Sequence, residues 1–285
     1  LELAWGHIRR WLLKTLRPRY VARMQAARRG SRNVCPHEIL DPRDIKFFRN
    51  LGGHYWLPED DPFAWRDRLP VVRVGLAELL LIGGLLLMLA AISALVAWPL
   101  AVVFAVLALA VACFFRNPRR SVPTGPGCLV SPADGKVVAV EEVDDEFVGP
   151  AAVRLVIFLS VFNVHINRSP AHAVVIALKY RHGKFLNALR SEASRENEQL
   201  EIRLEESAPP YRPLIVRQIA GAIARRIVCW ATPGQRLARG EPLGMIKLGS
   251  RTEILFAREP GLAICVHVGQ TVHAGVTVLG KYPTG

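Results

Sequence analysis

The chain has 285 residues, with 37 Lys and Arg against 24 Asp and Glu and a formal net charge of +13. That charge calls for an anionic partner. A mean hydropathy of +0.22 with 51% apolar residues favours an acidic membrane surface and argues against nucleic acid. The five cysteines (35, 113, 128, 229 and 265) are odd in number and lack any Cys-x-x-Cys pair. They exclude a disulfide framework and read as reduced, mostly buried thiols of a cytosol-facing protein, and Cys35-Pro-His37 reads as a loop with no second ligand pair.

Residues 1–32 carry nine Lys or Arg and one acid, Glu2. Trp5, Ile8, Trp11, Leu12 and Leu16 recur at helical spacing up to Pro18. This pattern predicts a basic amphipathic helix lying on anionic lipid, with a solvated basic tail as the alternative. Residues 33–73 are rich in Pro, Asp, Arg and aromatics and read as an irregular linker with short helices. Together, 1–73 form a basic N-terminal region.

Residues 74–115 are apolar apart from Glu78, Ser93 and Pro99. As one helix they would run roughly 60 Å, about twice a hydrocarbon core. Two helices meeting near Ala97-Trp98-Pro99 fit better. Arg66, Arg68 and Arg73 precede the run and Arg116, Arg119 and Arg120 follow it, so the positive-inside rule puts both ends in the cytoplasm. The expectation is a helical membrane hairpin, spanning or re-entrant, at the cell membrane. The remaining domain, 116–285, would then lie on the cytoplasmic side.

Beyond residue 120 the texture is β. Short β-branched runs at 136–143, 153–164, 173–180, 214–219, 222–230, 252–256 and 263–268 are separated by Gly, Pro and Asp turns. Only 184–200 looks helical. An internal echo pairs Gly234-Gln-Arg-Leu-Ala-Arg-Gly240-Glu-Pro-Leu243 with Gly269-Gln-Thr-Val-His-Ala-Gly275-Val-Thr-Val278. The shared pattern suits a tight turn feeding a strand, of the kind found in barrel-sandwich folds. The predicted fold class is therefore mostly β (α+β), with barrel-sandwich-like β elements behind an apolar helical hairpin.

Within that domain stand four ordered segments: Ser131-Pro-Ala-Asp-Gly-Lys136; Phe158-Leu-Ser-Val-Phe-Asn-Val-His-Ile-Asn-Arg-Ser-Pro170; Lys184-Phe-Leu-Asn187 with Glu192-Ala-Ser-Arg-Glu-Asn197; and Leu248-Gly-Ser250. Taken singly, Asp134-Gly135 makes a good turn, His165 a strand-end histidine and Ser250 a polar strand residue. A serine after glycine can also attack the preceding carbonyl through its hydroxyl. Elimination and hydrolysis then leave a pyruvoyl group, and glycine eases the close approach. Gly30-Ser31 repeats the dipeptide in the basic arm, where no such chemistry is expected.

With the hairpin and Phe114-Phe-Arg-Asn-Pro118, these segments strongly resemble phosphatidylserine decarboxylase in its shorter bacterial and archaeal form. The resemblance covers about residues 74–285 and leaves most of 1–73 outside. It implies that Asp134, His165 and Ser250 meet in space, with His165 taking the Ser250 hydroxyl proton and Asp134 orienting the imidazole. Cleavage between Gly249 and Ser250 would give two fragments that stay associated, 1–249 and 250–285. The cofactor would be a pyruvoyl group derived from Ser250, an electron sink that needs neither metal nor pyridoxal phosphate. The substrate would be phosphatidylserine at an anionic membrane surface, the product phosphatidylethanolamine; a homo-oligomer is compatible with this.

Two departures bear on the site. Leu248 stands where relatives often have phenylalanine. Arg168 stands where longer members carry a second histidine, so either His165 serves both cleavage and decarboxylation or Arg168 assists with the anionic head group. His182, beside the Gly183-Lys-Phe-Leu motif, is a further candidate for substrate binding. The alternatives are a membrane-tethered carrier or scaffold module, in which Met245-Ile-Lys247 stands in for a carrier lysine motif, and a homologue that never processes.

Overall fold

A computed structural model describes residues 2–30, 38–44, 55–187, 190, 192–222, 226–247 and 250–283. The chain forms two compact units, one made of residues 1–45 and 53–119, the other of 46–52 and 120–285.

The first unit is helical. Helix α1 (Glu2–Leu16) is followed at once by α2 (Pro18–Ala27). Pro18 opens α2 in the first turn, where its missing N–H is not needed. The apolar run forms α3 (Arg73–Ala94) and α4 (Trp98–Phe114), which pack on each other and are parted at 95–97. Pro99 again sits in a first helical turn. α3 has 22 residues and contains an 18-residue stretch of mean hydropathy 2.3, long and apolar enough to cross a membrane by length and composition. The two feet of the hairpin are tied together by Val72 N–H to Phe115 O (2.8 Å) and Asn117 N–H to Pro70 O (2.7 Å).

The second unit is almost entirely β, with 14 strands among the described residues. They are β1 (Cys128–Val130), β2 (Gly135–Asp145), β3 (Gly149–Leu159), β4 (Ile166–Arg168), β5 (Ala173–Arg181), β6 (Gln199–Glu206), β7 (Pro213–Ala220), β8 (Arg226–Cys229), β9 (Arg236–Leu237), β10 (Pro242–Lys247), β11 (Ser250–Phe256), β12 (Ala263–Ile264), β13 (Thr271–Val272) and β14 (Val278–Lys281). An eight-stranded curled sheet runs β13-β2-β3-β11-β7-β6-β5-β9, and two three-stranded sheets run β1-β14-β12 and β4-β10-β8.

These orders reveal a nested duplication. Reflecting the large sheet about its central pair, β11 and β7, exchanges β3 with β6, β2 with β5 and β13 with β9, and the two small sheets map onto each other likewise. One half is the contiguous run β4–β10. The other is split into β1–β3 and β11–β14, with the first half inserted between its pieces. Hydrogen bonds repeat across the halves. Gly275 N–H reaches Ser131 O and Gly240 N–H reaches Ser169 O, both at 2.8 Å. Val137 N–H reaches Gln270 O and Val175 N–H reaches Gln235 O, both at 2.9 Å. Arg168 N–H to Pro132 O and Val130 N–H to Pro170 O, also 2.9 Å each, are reciprocal.

The glycine echo is the sequence trace of this symmetry. Gly234, Gly240, Gly269 and Gly275 all have positive φ, a conformation that disfavours a side chain. A Cβ on Gly275 would lie 3.3 Å from the Gly240 Cα, so the turns that follow the two sheet edges meet, which requires the sheet to curl. A second echo went unread in the sequence: Ser131-Pro-Ala133 and Ser169-Pro-Ala171 each bond the serine hydroxyl to the alanine carbonyl, at 2.7 and 2.8 Å.

The segment 184–200 is not the expected helix. One helical turn, α5 (Ala193–Glu196), is followed directly by β6. In β6, Leu200, Ile202 and Leu204 are buried on one face while Glu201 and Arg203 pair on the other, a period of two. The upstream part is held extended by Asn197, whose amide bonds Leu186 N–H and Leu186 O at 2.8 Å each. Gly183 fits beneath it because a Cβ there would lie 2.2 Å from Glu196 O.

Candidate active site

Ser250 is the first residue of β11, the central strand, and pairs with Leu159 at the end of β3 and Ala220 at the end of β7. It is fully buried, and its Oγ has no hydrogen-bond partner among the described residues. A buried hydroxyl without a partner costs stability, about 1–3 kcal/mol. Gly249, the other half of the expected cleavage site, lies outside the described residues.

His165 is also fully buried. It lies just before β4, where its carbonyl accepts from Ile246 N–H (3.3 Å). The chain thus leaves the large sheet at Leu159 and enters the small sheet at His165. On the return it leaves the small sheet after Lys247 and rejoins the large one at Ser250. His165 and Ser250 therefore stand at the two joints where one half of the duplication is inserted into the other.

The loop between β3 and His165 is shaped by Asn163, whose Oδ1 accepts from Ser160 N–H (2.8 Å) and Ser160 Oγ–H (2.7 Å). The Asn163 carbonyl then lies 2.8 Å from His165 Nδ1. In a neutral imidazole this contact keeps the proton on Nδ1 and leaves Nε2 as the basic nitrogen.

A buried polar network joins the strands around this place. Asn167 Nδ2 donates to Thr252 Oγ1 (2.9 Å) and Pro132 O (3.3 Å), and Gln218 Nε2 donates to Asn167 Oδ1 (2.8 Å). All three side chains are fully buried. Thr252 is two residues from Ser250 and Asn167 two from His165, so the network fixes the joint's strands relative to each other.

Asp134 is buried beside β2 and engages different partners. Its carboxylate accepts from Arg120 Nη2 (2.7 Å) and Ala274 N–H (2.7 Å), with His273 Nδ1 at 3.8 Å. Through the duplication Asp134 corresponds to His172, whose Nδ1 accepts from Arg239 N–H at 3.4 Å. Part of Asp134's task is thus to cap the echo turn. The turn itself is bound to β4 through Pro132, which brings Asp134 to the strand that follows His165.

Arg168, buried on β4, donates through Nη1 to Gly240 O (2.9 Å). Burial, and then the neighbouring Arg120 charge, lower its pKa, with Asp134 opposing. Arg120, Asp134 and Arg168 form one charged cluster at the meeting of the echo turns, with the His273 ring beside it. His182 is exposed and lies edge-on to Tyr180, with ring centroids 4.8 Å apart. The register Arg181–Gln199–Ile219–Arg251 puts it at Ser250's end of the sheet. It is three strands away, roughly 14 Å at normal strand spacing.

Sequence reading passed over three positioning residues. Asn197 binds Ala220 O (2.7 Å), the carbonyl of Ser250's strand partner, and so brings the Lys184–Asn187 motif to the joint. Glu253, fully buried on β11, is held by Ser194 Oγ (2.6 Å) and Arg217 Nη1 (3.0 Å). Arg120, a flanking charge in the sequence, pairs with Asp134. Lys247, the residue a carrier module would modify, is buried within β10 and paired with Arg226, not presented at a hairpin tip.

Residues 107–280 match the family model of phosphatidylserine decarboxylase. The chain is 54% identical over 241 residues to a phosphatidylserine decarboxylase proenzyme of Rhodopirellula baltica, covering 85% of this chain and 100% of the relative. Proenzymes of the same description from Carboxydothermus hydrogenoformans and Geobacter sulfurreducens are 42% and 41% identical, each over 76% of this chain and 98% and 99% of theirs. These matches define an enzyme, of the lyase class. The chain belongs to the phosphatidylserine decarboxylase family.

Proposed function

We propose that this chain is a self-processing phosphatidylserine decarboxylase that cuts itself between Gly249 and Ser250 and acts at the membrane. The observation that carries this reading is the Ser250 hydroxyl, buried without a described partner at the joint that His165 also borders. A nucleophile left unsolvated in this way loses nothing by attacking the adjacent carbonyl.

In the proposed sequence, His165 Nε2 takes the Ser250 hydroxyl proton while the Asn163 carbonyl holds Nδ1–H. The Ser250 oxygen attacks the Gly249 carbonyl carbon, and the peptide C–N bond breaks to give an ester and the free Ser250 amine. Loss of the Ser250 α-proton expels the Gly249 carboxylate. The dehydroalanine left behind tautomerises to an imine, which water hydrolyses with release of ammonia. Asp134 assists by anchoring its turn on β4 and setting the field beside Arg168. The two fragments stay together because β11 remains paired on both sides, with β3 and with β7.

The resulting pyruvoyl group would supply an electron sink for loss of CO₂ from the amino acid head group. Around it, the chain's own residues have separable tasks. His165 returns a proton to the substrate carbon, and the Arg168–Arg120 cluster offers positive charge to the head group. The α3–α4 hairpin would keep the enzyme at the lipid surface, with the β unit on its cytoplasmic side. Phosphatidylserine is the substrate and phosphatidylethanolamine the product.

Intact mass of the purified protein tests the reading. Two associated fragments are expected, the smaller beginning at residue 250 with a blocked terminus. Ser250→Ala should give one uncut chain without decarboxylase activity on phosphatidylserine vesicles. An uncut, unmodified wild-type chain would sink the assignment.

A further inference from the structure

Helix α1 turns Arg9 and Arg10 toward buried aspartates. Arg9 bonds Asp41 through Nη1 (3.0 Å) and Asp44 through Nη2, and Arg10 Nη1 lies 3.6 Å from Asp44. Asp41 and Asp44 are buried. Gly6 makes room, since a Cβ there would lie 2.8 Å from Arg10 Nη1. What α1 turns outward is apolar: Trp5, Ile8, Trp11 and Leu16 are between 42% and 71% exposed. At 100° per residue these four, with Leu12 and Thr15, fill an arc of roughly 140°. His7 and Lys14 lie on its flank.

An apolar stripe of that width normally faces a core. Here the core side is occupied by an arginine–aspartate lock, so the stripe is left for something else. A relay within the same compact unit points to what covers it. Arg43, bonded to Asp41 (Nε to Oδ2, 3.1 Å), stacks over Phe63 at 4.0 Å, and Arg73 reaches the same ring at 6.0 Å while pairing with Asp61. Arg73 is the first residue of α3, the helix long and apolar enough to cross a bilayer. The chain of contacts from α1 therefore ends at the foot of that helix. Tryptophans concentrate at this level of a membrane, where the ring is buried and the indole N–H stays wet.

We propose that α1 is an interfacial anchor, inserting Trp5, Ile8, Trp11 and Leu16 into the headgroup region of the bilayer that holds α3 and α4. Its arginines orient the helix and do not bind lipid. Attachment of α1 is then driven by apolar burial and is insensitive to lipid charge and to salt, unlike that of a basic surface helix. The inference rests on the reading of α3 as membrane-embedded and is independent of the chemistry at Ser250.

The test uses the full chain carrying Ile8→p-benzoylphenylalanine, reconstituted into vesicles of phosphatidylcholine alone or with phosphatidylglycerol. After illumination, intact mass should show lipid adducts at equal yield in both vesicle types, unchanged in high salt. A Lys14→p-benzoylphenylalanine variant, probing the flank, should give far fewer. Adducts confined to anionic vesicles and lost in salt would overturn the proposal in favour of electrostatic attachment. Cross-links to a second copy would overturn it in favour of a protein interface. Protein that floats with vesicles but gives no adduct at residue 8 also overturns it, whereas protein that fails to float removes the membrane reading of α3 first.

Discussion

The two halves of the β unit share one skeleton and differ in what they do with it. In the inserted half, β6 returns to β7 through a short hairpin at 207–212, closed by Glu206 N–H to Arg212 O (2.9 Å). In the split half, the corresponding connection from β3 to β11 contains the whole inserted half. Where β11 begins with Ser250, β7 begins with Pro213, which has neither an N–H nor a nucleophile. Where one half caps its echo turn with Asp134, the other uses an exposed His172. In the proposed mechanism the difference lies at the joint, where a strand start, a histidine just before β4 and a buried polar network replace the twin's simple turn.

The comparison breaks most visibly at His165. His165→Ala should slow self-cleavage by roughly 10²–10⁴-fold, the usual range for a lost general base. The measurement is a time course of fragment formation in newly made protein. Cleavage at the wild-type rate would remove His165 from the proposed mechanism. His165→Ala should also leave the thermal transition standing, separating this effect from misfolding.

Next in size is the pair of turn caps. Asp134→Ala removes a buried carboxylate, leaving the buried Ala274 N–H unsatisfied and Arg120 without its ion-pair partner, and should cost about 1–3 kcal/mol or more. His172→Ala should stay within about 0.5 kcal/mol, as for other exposed positions. Denaturant melts of the two variants decide it. Equal losses would mean that the twin turns are equivalent and that Asp134 has no special burden. Asn167→Ala belongs with the larger effect, because it removes a partner of the buried Thr252 and Gln218 side chains at about 1–3 kcal/mol.

Much of this was legible in the sequence, though unevenly. The Gly-Gln echo predicted tight turns feeding strands, and four glycines at positive φ are what that pattern demands. The Ser-Pro-Ala repeat that completes the duplication was equally visible but too short to stand out without the hydrogen bonds that match it. β6 was lost because Gln-Leu-Glu-Ile-Arg-Leu-Glu-Glu carries its charges on a face that other strands neutralise, which composition alone cannot reveal. Asn197 was read only as a motif letter, since its contacts at Leu186 and Ala220 span 11 and 23 residues. The pairing of the α1 arginines is hidden for a related reason: their partners, Asp41 and Asp44, lie more than 30 residues away in a stretch that reads as linker.

The smallest expected effect concerns pH and the charged face of the central strands. Glu201 is held by Arg217 Nη2 and Arg203 Nε, each at 2.8 Å, and Arg217 also binds Glu253. Burial alone would raise the Glu201 carboxyl, but these hydrogen bonds and charges outweigh it and hold the pKa below its ordinary value. A carboxylate whose folded pKa is depressed adds stability that is fully present above the unfolded value, about 4.3, and is lost as pH falls through the folded one. Melting temperature should therefore be flat from neutrality to about pH 5 and fall below about pH 4.3. Glu201→Gln should flatten part of that fall while lowering the neutral-pH plateau slightly, because the amide still accepts one hydrogen bond but no longer offsets the Arg217 charge. An acid limb of unchanged depth in Glu201→Gln would assign the loss to other carboxylates. Either way, the effect reports on the sheet's charged face, whereas the site chemistry is read from self-cleavage.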